Sequence, residues 1–360
     1  MLTALSDILD LRAIEEQIDA GLITRRFLTG TGIHVLNYTS KAAFKGIWTD
    51  ETRRCRGLVV GEDGEVLARP FEKFFDLAAT PHVPDYGRLL ASEKVDGSLG
   101  ILYEAPDGWR ITTRGDPNSW QAEAATAIWR ERYGEIEPPE GQTWCFEIIL
   151  PENRVVVDYG PRRDLVALAA IDVASGHDLG LPEPWPGPVA RRIDTARGEH
   201  LGEMVAEAET EGNKEGFVLL WPEQQVRAKL KLPAYREMHR LVFTTSTKVI
   251  WEALTAGRDP VSEVSATGMG DLVEWVGAVA SRLRERHAAV MSEAKATVEG
   301  LTADERSDRA AAAARITYSR FPGVAFSMLD GRFERATDAA WKLVRPERAE
   351  MFRREDESNA

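Results

Sequence analysis

Apolar and polar positions alternate in short segments between residues 34 and 232, which is the pattern of β-strands with one buried face. Turn residues separate these segments, and Glu62-Asp63-Gly64 and Pro106-Asp107-Gly108 each predict a hairpin. Apolar residues at helical spacing predict helices over 5–20 and 121–133. The predicted strands are 35–38, 57–60, 65–68, 100–103, 109–113, 143–150, 154–158, 165–172, 216–221 and 225–232. This region therefore predicts an α+β fold built mostly on antiparallel sheets.

After Pro233 the apolar period becomes helical, most clearly from Leu272 to Leu283. Further helices are predicted over 293–298, 304–318 and 336–352. We therefore predict two domains, an α+β domain over residues 1–240 and an all-α C-terminal domain over 241–360.

Composition narrows the class of protein. The 360 residues are 43% hydrophobic and contain two cysteines, Cys55 and Cys145, which are far apart and suit a reducing compartment. The absence of a long apolar run or a signal pattern predicts a cytoplasmic protein with no membrane partner. A net charge of −13 argues against a nucleic-acid partner, although a local basic groove can act within an acidic chain.

The segment Lys94-Val95-Asp96-Gly97 contains a candidate nucleophile. A lysine attacks phosphorus only when its amine is neutral, so its pKa must be lowered by nearby cations or by burial. Gly97 permits a tight turn and a close approach of the backbone to a ligand. Taken alone, the same residues are equally compatible with a solvated lysine before a turn.

Three basic residues, Arg227, Lys229 and Lys231, fall on one face of the strand predicted over 225–232. They repel one another unless an anion lies among them, and a triphosphate is a suitable anion. If they lie near Lys94, they would also lower its pKa. The alternative is a charged solvent face of an edge strand.

Two glutamates could contact a nucleotide or a metal. Glu147 points away from the apolar face of its predicted strand, and a ribose hydroxyl or a metal-bound water would be a suitable partner. Glu215 precedes an apolar strand and could hold a divalent cation. Each glutamate could instead lie on a solvated surface.

Arginine and aromatic residues cluster upstream of this motif. Arg56 precedes a predicted strand, and an extended 71–75 segment would place Phe71, Lys73 and Phe75 on one face. Cations beside aromatic rings suit phosphate and base contacts, whereas Phe74 is predicted to be a core residue.

Taken together and in this order, these motifs resemble the ATP-dependent RNA ligase 1 type of T-even bacteriophages, within the covalent nucleotidyltransferase superfamily. The resemblance covers roughly residues 30–255. It rests on the following segments: Arg56-Gly57, 71–75, 94–99, 113–116, Phe146-Glu147, 153–156, 215–218 and 229–231. It implies an antiparallel-sheet, ATP-grasp-like nucleotidyltransferase domain followed by helices.

The resemblance also implies a three-step reaction. Lys94 attacks the α-phosphate of ATP, the AMP passes to an RNA 5′-phosphate, and an RNA 3′-hydroxyl expels it. Mg²⁺, or Mn²⁺, would offset phosphate charge, with Glu215 and Glu147 as metal ligands. The residues implied in nucleotide binding are Arg56, Lys73, Phe75, Glu93, Val95, Gly97, Arg114, Glu147, Lys229 and Lys231.

Two positions depart from related patterns. Leu99 stands where DNA ligases and capping enzymes carry arginine, and Arg114-Gly115 replaces the lysine-glycine pair of the RNA ligases. A DNA ligase, a capping guanylyltransferase and a non-catalytic RNA-binding module remain alternatives. The first two normally carry a small β-barrel where this chain predicts helices. Motifs for healing broken RNA ends are absent, so separate enzymes would have to supply the 5′-phosphate and 3′-hydroxyl ends.

Overall fold

The computed structural model describes residues 3–84, 87–195, 200–265 and 267–352. Among them, residues 3–236 form one compact unit and residues 237–352 form another. The first unit contains all of the strands, and the second consists of helices with one isolated β-bridge. The first unit is therefore α+β, in agreement with the predicted fold class, and the second is helical over its described residues. The predicted domain division stays a prediction, and residues 353–360 of the predicted C-terminal domain lie outside the described residues.

The strands are β1 Ile23–Phe27, β2 His34–Tyr38, β3 Arg56–Val60, β4 Val66–Ala68, β5 Phe75–Asp76, β6 Leu90–Glu93, β7 Ser98–Ala105, β8 Gly108–Thr113, β9 Gln142–Ile149, β10 Asp164–Asp172, β11 Asp178–Gly180, β12 Arg192–Asp194, β13 Gly216–Trp221 and β14 Val226–Lys231. The helices are α1 Leu5–Ile8, α2 Leu11–Asp19, α3 Ser40–Lys45, α4 Asp50–Arg54, α5 Trp120–Arg132, α6 Leu201–Glu211, α7 Pro233–Thr244, α8 Thr247–Thr255, α9 Pro260–Ser265, α10 Gly270–Glu299, α11 Ala303–Ser307, α12 Arg309–Ile316, α13 Pro322–Leu329 and α14 Phe333–Leu343.

The strands form three sheets. Sheet I has the order β1-β2-β3-β4, sheet II has β11-β10-β9-β7-β8, and sheet III has β12-β6-β13-β14-β5. Apart from the parallel pair β14–β5, the described pairs are antiparallel, which agrees with the predicted fold class. The predicted hairpins are confirmed as β3–β4 and β7–β8.

One face of sheet II is covered by helix α5. Trp144, Phe146 and Ile148 alternate along β9 and are fully buried in one cluster with Trp129 of that helix. Because side chains alternate across a strand, Glu147 points from β9 to the opposite face. The burial of three large apolar residues on one face of β9 thus fixes the direction of this glutamate.

Helix α7 begins in the first unit and ends in the second. Within the helical unit, Val242 packs in a core with Ile250, Leu254 and residues of α10. A second core joins the C-terminal end of α10 to helices α12 to α14. Among the described residues, no helix combines the length and the apolar character needed to cross a membrane.

Several predicted elements differ from the observed ones. The helix predicted over 5–20 is two helices, because Asp10 caps the second by accepting hydrogen bonds from the backbone N–H groups of Arg12 and Ala13. Asp308 likewise divides the helix predicted over 304–318. The helix predicted to continue to 352 ends at Leu343, shortly before Pro346. Proline disfavours helical backbone at the residue that precedes it.

The strand predicted over 154–158 is wrong. The backbone N–H groups of Val156 and Val157 each donate to Asp96 at 2.8 Å instead of to a neighbouring strand. A buried carboxylate therefore takes the place of a strand partner.

Candidate active site

A cavity of about 500 Å³ is lined by residues of all three sheets and of the loops between them. This volume is within the range of small-molecule sites. The predicted site residues that line it are Arg56, Lys73, Glu93, Lys94, Val95, Gly97, Arg114, Glu147, Lys229 and Lys231. Phe75 and Glu215 are not among its lining residues.

The register of sheet III arranges the cationic side chains in order. Lys94 donates its backbone N–H to the carbonyl of Gly216 at 2.8 Å, and Gly216 lies opposite Lys231. Two residues further along, Val218 lies opposite Lys229 and Ser92. Lys94, Lys229 and Lys231 therefore face one end of the cavity, although more than 130 residues separate Lys94 from the other two.

Glu215 holds Lys94 and Lys231 together at one end of the cavity. Its carboxylate accepts a hydrogen bond from Lys94 Nζ at 2.8 Å and lies 2.9 Å from Lys231 Nζ. Glu215 is only 2% exposed, whereas both lysines keep about a fifth of their side-chain surface accessible. The carboxylate is thus a buried counter-ion that brings both ammonium groups to the cavity wall.

The expectation that neighbouring cations lower the pKa of Lys94 is wrong for this state of the protein. Burial acts to lower the pKa of Lys94, but the carboxylates of Glu215, Glu147 and Asp96 outweigh it, and the net shift is upward. Carboxylates stand closer to this amine than the sequence pattern suggests. The lysine is therefore a paired ammonium group before any substrate enters.

Glu147 faces the cavity from β9, as predicted. Its side chain is nearly buried, and its Oε1 accepts the backbone N–H of Gly97 at 3.0 Å. Burial raises the pKa of Glu147 to about 7, the cation of Lys94 lowers it, and the carboxylates of Glu215 and Asp96 raise it. The carboxyl group therefore holds the turn after Lys94 and faces the same space.

Gly97 is required for packing against the neighbouring strand. A Cβ atom at this position would lie 2.5 Å from the carbonyl oxygen of Ile148. The close approach inferred from the sequence is therefore between the Lys94 loop and β9. It sets the loop against the strand that carries Glu147.

Asp96 holds the loop after Lys94 in place through hydrogen bonds. It accepts hydrogen bonds from Val156 N, Val157 N and the hydroxyl group of Tyr235, and its own N–H donates to Tyr159. Asp96 is 4% exposed, so these contacts satisfy a buried charge. The sequence motif thus contains the candidate nucleophile and a structural aspartate two residues apart.

Three cavity cations have no carboxylate within ion-pair distance among the described residues: Arg56, Lys73 and Arg114. Nη1 of Arg56 is buried and has no hydrogen-bond partner among the residues that the structure describes. Arg114 donates to the hydroxyl group of Tyr38 at 2.6 Å. Partly buried cations of this kind attract an anion into the cavity.

The aromatic residues near these cations are arranged differently from the prediction. Phe71 and Phe74 line the cavity, with the Arg56 guanidinium 4.9 Å and 5.6 Å from their ring centroids. Phe75 instead packs against Trp48, and Lys73 Nζ lies 5.1 Å from its ring centroid. Only Phe75 and Asp76 of the 71–76 segment belong to a strand, so alternation does not govern the faces of the preceding residues.

The predicted metal ligands Glu215 and Glu147 do not form a preassembled metal site. Within the described ranges, no group of three or more His, Cys, Asp or Glu side chains is placed to hold an ion. Both oxygens of Glu215 face ammonium groups, and Glu147 accepts a backbone N–H. Such a set fits Mg²⁺ that arrives with nucleotide phosphates, since Mg²⁺ is often held by one or two carboxylates and its substrate. Metal binding by these residues stays a prediction.

The sequence reasoning missed Tyr38, Arg192 and Asp178. Tyr38 and Arg192 line the cavity, and Asp178 accepts hydrogen bonds from Arg192. No local motif marks them, because their positions depend on strand pairing across the sheets.

Comparison with known proteins finds two curated relatives that are named RNA ligase. No family model matches the chain. Over 219 residues, or 52% of the chain, it is 27% identical to "Putative RNA ligase" of Thermovibrio ammonificans, and the match covers 53% of that protein. Over 158 residues, or 39% of the chain, it is 32% identical to RNA ligase 1 of bacteriophage TS2126, and the match covers 40% of that protein. The chain therefore matches about half the length, or less, of these curated relatives.

A solved structure of an archaeal ATP-dependent RNA ligase (form 2) aligns over 86% of both chains, with a TM-score of 0.45 and 15% identity. At this TM-score the likeness carries no argument.

Proposed function

We propose that this protein is an ATP-dependent RNA ligase that forms a lysyl-AMP intermediate at Lys94. The observation that carries the proposal is the position of Lys94 on the wall of a nucleotide-sized cavity, next to Lys231 and Lys229 and within reach of Glu147. The similarity to two proteins named RNA ligase supports it. Because the match covers only part of those proteins, the substrates below are part of the same proposal.

The first step requires a neutral amine. The ammonium group of Lys94 gives a proton to the Glu215 carboxylate, which lies 2.8 Å from Nζ. Nζ then attacks the α-phosphorus, a P–N bond forms, the nitrogen loses its second proton to the leaving pyrophosphate, and the bond from the α-phosphorus to the bridging oxygen breaks. Pyrophosphate leaves with that electron pair.

The next two steps transfer the AMP and join the RNA. An oxygen of an RNA 5′-phosphate attacks the phosphorus of lysyl-AMP, and the P–N bond breaks as the nitrogen takes back the proton held by Glu215, which returns the amine to Lys94. A 3′-hydroxyl group then attacks the activated 5′-phosphate, loses its proton and expels AMP. The substrates are therefore ATP and RNA with 5′-phosphate and 3′-hydroxyl ends.

The charges of the cavity support roles for the remaining residues as part of the same proposal. Lys229 and Lys231 lie beside Lys94 and would hold the α-phosphate, while the cations of Arg56, Lys73 and Arg114 suit the leaving phosphates. Glu147 would accept a ribose hydroxyl or contact a metal ion bound to the nucleotide. Mg²⁺, or Mn²⁺, would offset charge on those phosphates.

The finer assignment follows the sequence resemblance. The motif order and Leu99 favour the RNA ligase 1 type, and RNA repair is the role that such a reaction serves. In that role, separate enzymes would prepare the 5′-phosphate and 3′-hydroxyl ends. Single-stranded, nicked and tRNA-like RNA are the substrates to compare.

The decisive experiment measures covalent labelling of the full chain by ATP radiolabelled at the α-phosphate. The wild type and Lys45→Ala, which alters an exposed lysine, should become labelled, and Lys94→Ala should not. Label on a folded Lys94→Ala variant would contradict the assignment of the nucleophile. The same assay with GTP tests the capping alternative, and sealing of nicked DNA in preference to RNA would indicate a DNA ligase.

A further inference from the structure

A buried aspartate bridges two arginines on the cavity wall. Asp178, on β11 of sheet II, is 2% exposed and accepts hydrogen bonds from Arg192 at 2.9 Å and 2.8 Å. It also accepts a hydrogen bond from Arg227 of β14 and one from the backbone N–H of Gly180 at 2.7 Å. A carboxylate has about four lone-pair positions, so this one is fully used.

The register places this bridge at the end of the cavity opposite Lys94. Arg227 lies opposite Leu220, which lies opposite Leu90 on β6. Arg227 is four residues before Lys231, as Leu90 is four residues before Lys94. At about 3.3 Å per residue, the two ends are separated by about 13 Å along the strands.

The cavity wall in register with Arg227 is apolar, whereas Lys229 and Ser92 lie midway between the two ends. Leu90, Val218 and Leu220 line the cavity from sheet III, and Leu168 lines it from sheet II. Surfaces of this kind on both sides suit a planar base better than a phosphate. If the α-phosphate lies at Lys94, the base therefore points towards Arg227.

Arg227 is also a poor phosphate ligand. It donates to Asp178, a carboxylate that it shares with Arg192 and that would repel a nearby phosphate, and its guanidinium lies 4.7 Å from the ring centroid of Phe71. Asp178 is its one hydrogen-bond partner among the described residues, and that bond uses Nη2. The Nε and Nη1 donors are therefore left for a ligand in the cavity.

We infer that Arg227, held by Asp178, is a specificity-determining residue that donates a hydrogen bond to a ring nitrogen of adenine. This inference rests on the proposed function, and it moves Arg227 from the triphosphate cations to the base. The saturated carboxylate offers no acceptor, so the end wall recognises a base edge only through its acceptor atoms.

The test crosses variants of the full chain with analogues of ATP. Wild type, Arg227→Gln and the control Arg88→Gln are assayed for labelling by ATP, 1-deaza-ATP, 3-deaza-ATP and 7-deaza-ATP. Arg88 also pairs with an aspartate, at 2.6 Å, but it does not line the cavity. Wild type and Arg88→Gln should use one deaza analogue about tenfold less well than ATP, because a hydrogen bond to a charged donor is lost. Arg227→Gln should use that analogue and ATP equally.

A second assay tests whether Arg227 contacts the phosphates instead of the base. The KM for pyrophosphate in the reverse reaction should be unchanged in Arg227→Gln and raised in Lys73→Met. If Arg227→Gln does not fold, Arg227→Met, which keeps more of the side-chain packing and leaves Asp178 paired with Arg192, takes its place in both assays.

Three outcomes overturn the inference. Identical discrimination among the analogues in wild type and folded Arg227 variants excludes a base contact by Arg227. A raised KM for pyrophosphate in those variants assigns Arg227 to the phosphates. Absence of label from ATP in the wild type overturns the proposed function itself, and the inference with it.

Discussion

At the scale of single residues, Glu215 connects Lys94 and Lys231 at one end of the cavity. Replacing it with Gln removes the charge that draws Lys94 and Lys231 together and the base that would accept the Lys94 proton. We expect Glu215→Gln and Lys231→Ala each to slow adenylylation on the order of a hundredfold or more, as loss of a preorganised charge contact does. Radiolabelling rates at saturating Mg²⁺ measure this. Glu211→Gln, at a half-exposed surface pair with Lys214, is the matched control and should keep the wild-type rate. Near wild-type rates in Glu215→Gln would remove Glu215 from the mechanism.

Lys73 should couple nucleotide binding to proton uptake. Burial, together with the cations of Lys229, Arg56 and Arg114, lowers the pKa of Lys73 to about 8. A bound phosphate would raise this pKa, so above pH 8 the free protein must take up a proton as ATP binds, and affinity should fall as pH rises through about 8.

Isothermal titration calorimetry at pH 8.5 in two buffers of different ionisation enthalpy measures that uptake. Lys73→Arg should bind ATP with less proton uptake than the wild type, because arginine stays charged. Equal uptake in the two proteins would show that Lys73 does not contact the phosphates.

At the scale of elements, close packing against β9 fixes the position of the loop after Lys94. Gly97→Ala would bring a Cβ atom within 2.5 Å of the Ile148 carbonyl oxygen, so the loop or the strand must move. We expect a loss of about 1–3 kcal/mol in the free energy of unfolding and a large loss of adenylylation, because Lys94 and Glu147 both depend on this contact.

Denaturant unfolding and radiolabelling of the same samples test this expectation. Gly202→Ala, in helix α6, has open space around the added Cβ and should cause neither change. A Gly97→Ala variant with wild-type stability and wild-type labelling would contradict the packing argument.

At the scale of the whole molecule, the nucleotide motifs lie in the first compact unit. A fragment ending at Thr245 keeps β14 and all of α7, so we expect it to form lysyl-AMP while it loses more of its RNA joining. Val242 at the end of α7 packs in the helical unit, so circular dichroism must first show that the fragment folds. Labelling and sealing rates are then compared with those of the full chain. A folded fragment that seals RNA at the rate of the full chain would show that the helical unit has no role in RNA binding.

Local sequence determined the elements whose signals are short-range. The two hairpin turns, helix α5 and the alternation that directs Glu147 away from Trp144 and Phe146 all follow from neighbouring residues. The motif around Lys94 and the face shared by Arg227, Lys229 and Lys231 were also visible in the sequence. Their chemical roles, including the metal ligands, stay predictions.

Only the tertiary structure decided the partners of these charges. Glu215 was visible in sequence as an acid before a strand, but pairing of β6, β13 and β14 makes it the counter-ion of Lys94 and Lys231 and raises the pKa of Lys94. Asp178, on another sheet, accepts a hydrogen bond from Arg227. Asp96 accepts the backbone N–H groups of a segment that the sequence predicts to be a strand, and that segment is a loop. The physical reason is common to all three cases. A charge is stabilised by groups that approach it through space, and strand pairing brings together residues that are far apart in the chain.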